Sequence, residues 1–144
     1  MTDKVGVSSL TVVEAKHEAQ SMEDKIAALV PAEYVAKREQ AATGGLLSCK
    51  GERAFQWYGH TSIDLQGDPD LNRLMRSVAD HWKNAKEFAV RWRTTRIKTP
   101  EVNLDGADFA NYSITHSESG TKLDILSFSP CFTLPKGVYA GGEF

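Results

Sequence analysis

Apolar residues recur every three or four positions through LTVVEAKHEAQSMEDKIAALVP. Ala15, Ala19, Met22, Ile26, Leu29 and Val30 fall on one stripe, the spacing of a helix with a single buried face. Thr11 followed by Glu14 has the form of a capping box, in which each side chain satisfies the other's backbone N–H. Pro31 disfavours helical geometry at Val30 and predicts the end of the helix there. PAEYVAKREQAATGG, which follows, has no clear period and reads as irregular or as a short helical turn. The period then changes to two. LLSC is a short strand, and AFQWYGHTSIDLQ alternates strictly. Phe55, Trp57, Gly59, Thr61, Ile63 and Leu65 share one side, and Gln56, Tyr58, His60, Ser62, Asp64 and Gln66 share the other. Such alternation predicts a sheet with one face on the core and one wetter. Gly59 within the row predicts a bulge or a close approach by another group.

GDPDLNRLMRSVADHWKNAK predicts a second helix. Asp68 is a candidate cap, Pro69 suits the first helical position and Asp70 complements the dipole. Its stripe is Leu71, Leu74, Met75, Val78 and Trp82. FAVRWRT alternates again, with Arg91 and Arg93 opposite Phe88, Val90 and Trp92. KTPEVNLDGAD carries a proline and Asp-Gly and reads as a turn. FANYSITHS and KLDILSFSPCFTL flank ESGT as a hairpin. The last of these strands is apolar on both faces, which suits a central position. Trp57, Trp82 and Trp92 are all in phase with core residues. The whole predicts one α+β domain: an antiparallel or mixed sheet of about five strands with two helices on one face, in the order α-β-β-α-β-β-β. Residues 11–135 form that domain. Residues 1–10 read as a disordered or added tail, and the Gly-rich residues 136–144 as a flexible one.

Composition adds bounds. The chain is 41% hydrophobic and 25% charged, with 17 basic and 19 acidic residues and a net charge of −2. This is the balance of a soluble globular domain. Arg91, Arg93, Arg96 and Lys98 are the nearest thing to a basic patch. They read as the solvated side of a strand, so no nucleic-acid partner is expected. No apolar run spans a bilayer, and the first 30 residues lack the apolar core of a signal peptide. The segment MTDKVGVSS is equally compatible with a mature N-terminus behind an added Met.

Two cysteines are present, Cys49 and Cys131, both in predicted strands. No CxxC spacing occurs, and His17, His60, His81 and His116 show no paired ligand spacing, so no metal site is expected. Cys131 has apolar neighbours, which disfavour a reactive thiolate. Two readings lead: a pair of reduced core thiols, or a disulfide formed in an oxidising compartment.

LLSCKG, FQWYGHTSIDL and SFSPCF resemble elements of small actinobacterial exported lipoproteins of the LppA type and related families. The resemblance covers Leu46 to Phe132. It implies that Cys49 and Cys131 are joined in a disulfide outside the cytoplasm. It also implies an N-terminal lipid anchor upstream of this chain, although no lipobox lies within it. The resemblance brings no catalytic residues.

The side chains best disposed to hold a ligand are Tyr58, His60 and Asp64 on the wetter strand face, with His116. A histidine near an aspartate in a cleft can act as acid or base. The alternative is a solvated face. Ser113, Ser117, Ser127 and Ser129 fit no GxSxG motif. GGLLSCKG is not a phosphate loop, and Asp105, Gly106 and Asp108 are too few for a calcium loop. No cofactor is expected.

The leading functional expectation is a non-enzymatic, extracytoplasmic domain stapled by one disulfide. Its partner would be a cell-envelope protein or a lipid, held in the groove between helices and sheet or along a sheet edge. Membrane contact would come only through the inferred anchor. One alternative is a small-ligand or enzymatic domain with a cone-shaped pocket, similar to the nuclear transport factor 2 fold. The other is a cytosolic interaction protein with reduced cysteines.

Overall fold

The computed structural model describes residues 6–144; residues 1–5 of the expected N-terminal tail lie outside them. Helix α1 runs Val12–Ala27 and helix α2 runs Leu71–Trp82. The strands are β1 (Val35–Gln40), β2 (Gly45–Ser48), β3 (Ala54–Leu65), β4 (Ala89–Thr94), β5 (Pro100–Asp105), β6 (Asn111–His116), β7 (Lys122–Phe128) and β8 (Phe132–Thr133). They form one antiparallel sheet in the order β1-β3-β7-β6-β5-β4, with β2 and β8 also paired to β3. Both helices pack on one face. Helix α1 lies over β3, β7 and β6, and α2 mainly over β5.

The α+β class and the two helices agree with the sequence pattern. Among the described residues the sheet has eight strands rather than about five, for three local reasons. VAKREQ is β1, an edge strand whose charged residues hide its period and also protect an edge from unwanted pairing. PEVNLD is β5. Its proline takes the first strand position, where no ladder donor is required, and only Val102 and Leu104 carry its inward row. The long C-terminal strand breaks at Ser129–Cys131, so that β7 and the two-residue β8 pair with β3 separately.

The capping box closes as expected: Thr11 N–H donates to Glu14 Oε1 (2.9 Å), and Glu14 N–H donates to Thr11 Oγ1 (3.1 Å). At α2 the cap is Asp70, whose carboxylate accepts from Arg73 N–H at 3.1 Å, and not Asp68. Trp57 and Trp82 are buried, but Trp92 is 48% exposed. It lies on β4, at the edge of the sheet, where α2 gives only partial cover. Arg91 and Arg93 face solvent and pair with Asp105 (2.9 Å) and Glu101 (3.0 Å) on β5.

Gly59 marks a close approach. Its backbone lies under the Trp57 ring, where an added Cβ would sit 2.3 Å from Trp57 Cη2. Gly44 is equally tight against the same ring and the Tyr58 carbonyl. The Trp57 indole N–H donates to the Phe144 carbonyl at 3.1 Å, and Gly44 and Phe144 exchange backbone hydrogen bonds. The Arg53 guanidinium donates to the carbonyls of Leu134, Pro135 and Val138. The segment expected as a flexible tail therefore makes these specific bonds to the domain.

One buried group stands out. Glu23 on α1 is fully buried. Its Oε1 accepts from Thr61 Oγ1 at 2.7 Å and from Gln40 Nε2 at 3.3 Å, and its Oε2 accepts from Ser127 Oγ. Thr61 and Ser127 belong to β3 and β7, so this one carboxyl group ties α1 to the two central strands. Truncation would leave the buried Thr61 hydroxyl without an acceptor and Ser127 with only the Gly59 carbonyl at 3.3 Å. Glu23→Ala is expected to cost about 3 kcal/mol, and Glu23→Gln clearly less, because the amide oxygen still accepts. Urea denaturation of both variants measures this, and a loss below about 0.5 kcal/mol for Glu23→Ala would show that the network stabilises nothing.

Candidate functional site

A concavity of about 950 Å³ lies between α1 and α2, over the ends of β5 and β6. It exists because the helices cover different strands and leave a strip of the inner sheet face between them. Met22, Trp82, Phe88, Ala110 and Tyr112 line its apolar part, and Glu14, His17, Glu18, Lys25, Lys86 and Glu87 contribute polar groups. Phe88 meets Tyr112 edge-on, with ring centroids 5.8 Å apart. The size and the mixture of an apolar lining with a few polar groups are those of small-molecule sites.

Tyr112 is 2% exposed. Burial first, then the nearby Glu18 and Glu23 charges, push its phenol well above the ordinary range, so it stays an O–H donor. Glu18 is raised from the ordinary carboxylate value mainly by desolvation, with Lys25 opposing.

The sequence-predicted candidates lie elsewhere and do not converge. Tyr58 and His60 project from the outer face of β3, away from both helices. There they line a smaller cavity of about 470 Å³ with Leu126, Phe128 and Glu143, and Tyr58 stacks on Phe128 at 6.2 Å. Asp64 shares that face but is four residues from His60, about 13 Å along the strand, and it pairs with Lys122 at 3.6 Å. His116 is opposite Leu123, which is itself opposite Ile63. Cross-strand partners share a face, so His116 is on the inner side of the sheet, separated from His60 by the sheet itself. Its Nδ1–H donates to the Ser117 carbonyl at 2.7 Å. Among the described residues no group of three metal-ligating side chains converges.

A groove between helices and sheet was expected, but pattern reading did not name its lining, because Tyr112, Met22, Trp82 and Phe88 come from four separate segments. Pattern reading missed Glu23 although a signal existed. Glu23 is four residues after Ala19 and three before Ile26, so an acidic residue stands in the buried phase of α1.

Cys49 and Cys131 form a disulfide, with Cα atoms 6.3 Å apart. Each lies one residue outside a strand, Cys49 after β2 and Cys131 before β8, so the expected strand positions are corrected by one. The bond joins the two segments that flank the start of β3. The N-terminal segment also docks here: Ser8 N–H and Oγ both donate to the Cys131 carbonyl, at 2.7 and 2.8 Å. No helix among the described residues is long and apolar enough to cross a membrane.

No protein-family model and no curated protein matches this chain. Among solved structures, the chain is similar to a DUF4853 family protein from Actinomyces odontolyticus. The TM-score is 0.54 at 15% identity, over 95% of this chain and 78% of the other. At that identity the likeness is one of fold.

The raised Glu18 fixes the sign of a pH effect. Its neutral form is favoured in the fold, so its cost to stability is absent below the ordinary carboxylate value and appears as pH rises through the folded value. Glu18→Gln is therefore expected to raise the melting temperature at pH 7 and to leave it unchanged at pH 3. A gain at both values, measured by calorimetry, would mean that desolvation of the charge is not the cause.

Proposed function

We propose that this chain is a non-enzymatic, extracytoplasmic binding domain, stapled by its disulfide, that accommodates the apolar body of a small ligand in the cleft between α1 and α2. The observation that carries the reading is the cleft itself, an open apolar trough of about 950 Å³ beside the sheet. The Cys49–Cys131 bond supports the compartment, since disulfides persist in oxidising surroundings. The lipid anchor implied by the resemblance to exported lipoproteins belongs to the same reading and would hold the domain at the membrane surface. Catalysis is not part of it: Tyr58, His60, Asp64 and His116 are distributed over two faces and form no acid-base constellation.

Binding of the neutral fluorophore N-phenyl-1-naphthylamine tests the cleft. Ser21 on α1 and Ala107 after β5 both line it, so Ser21→Trp and Ala107→Trp are each expected to weaken binding at least tenfold with an unchanged melting temperature. Absence of binding to the wild type, or binding indifferent to both substitutions, would overturn the reading. The compartment has its own test. Protein from the native host, unfolded without reductant, is expected to show no free thiol with Ellman's reagent, and two free thiols would reject it. Reduction of the disulfide is expected to cost about 2–4 kcal/mol in urea denaturation.

A further inference from the structure

Tyr112 carries a hydroxyl with nothing to bond. Its residue is almost wholly buried, yet the hydroxyl makes no hydrogen bond among the described residues. No buried side-chain polar atom among the described residues lacks a partner, so this oxygen is not sealed in the core. It must open into the space that its ring lines, which is the cleft. An unused donor beside the apolar part of the cleft lining is a recognition element, because a ligand that left it unpaired would forfeit the bond it makes with water.

The surrounding charges narrow the ligand. Glu18 stands at the same cleft with its charged form disfavoured by desolvation, and Glu14 and Glu87 are also on the rim. Lys25 is engaged electrostatically with Glu18, and Lys86 has an interaction of its own. An anionic ligand beside Glu14, Glu18 and Glu87 would meet like-charge repulsion. A neutral acceptor meets no such cost.

Resting on the proposed cleft function, we infer that the ligand is a neutral acyl ester, whose chain lies on Met22, Trp82 and Phe88 and whose carbonyl oxygen accepts from the Tyr112 hydroxyl.

Displacement of N-phenyl-1-naphthylamine by three compounds of similar chain length tests this: methyl laurate, laurate anion at pH 8, and tridecane. In the wild type, methyl laurate is expected to compete best. Tyr112→Phe removes only the hydroxyl. It is expected to weaken methyl laurate by roughly 3- to 10-fold, the worth of one such bond, while tridecane and the fluorophore keep their affinities. Equal affinity of methyl laurate for wild type and Tyr112→Phe, with the fluorophore bound to both, would reject the hydroxyl's role and leave the cleft reading intact. Tighter binding of laurate than of its ester would reject the neutral ligand. Failure of the fluorophore and all three compounds to bind the wild type would remove the cleft function, and this inference with it.

Discussion

Helix α1 is held on the sheet by a polar contact inside an apolar layer. Glu23 is surrounded by Ala19, Met22, Ile26 and Ala27 on its own helix, all buried, and would be costly there without partners. Thr61 and Ser127, from the adjacent strands β3 and β7, supply the donors. Apolar packing alone tolerates sliding, because hydrophobic contact has no direction. Hydrogen bonds from two strands to one carboxyl group permit a single register of helix on sheet. The position of α1 then sets the wall of the cleft, since Glu18, Ser21, Met22 and Lys25 lie within two turns of Glu23.

A second constraint acts at the opposite end of β3. The disulfide, the Arg53 clamp and the indole–carbonyl bond from Trp57 to Phe144 gather the β2–β3 turn, the β8 segment and the C-terminal residues around the start of that strand. Strand β3 is thus the organising element. It pairs with β1, β2, β7 and β8, and its inward residues receive both Glu23 and the Trp57 packing. Short strands such as β2 and β8 bury little by themselves, and a covalent link between their neighbouring segments offsets that weakness by restricting the unfolded chain.

The two faces of the sheet divide the chemistry. The outer face presents Tyr58 and His60 over a shallow hollow, and ion pairs to Arg91 and Arg93 near the far edge. The inner face offers the larger cavity, lined by Tyr112. The larger of the two cavities sits on the side whose residues look like ordinary core.

Several features followed from the order of residues alone. The stripe of Ala15, Ala19, Met22 and Ile26, the Thr11–Glu14 box and the strict alternation from Phe55 to Leu65 depend on neighbours in the chain, and each took the predicted form. Strands β1 and β5 were illegible because charge, proline and Asp-Gly masked short rows that only pairing could stabilise. A groove between helices and sheet was expected, but its bounds and lining could not be read. It is a gap between two helices that cover different strands, and a gap is a property of where elements stop in space. Tyr112 illustrates the division: its place in an inward strand row was written in the local period, whereas its lack of a hydrogen-bond partner was decided by which helix side chains came to rest beside it.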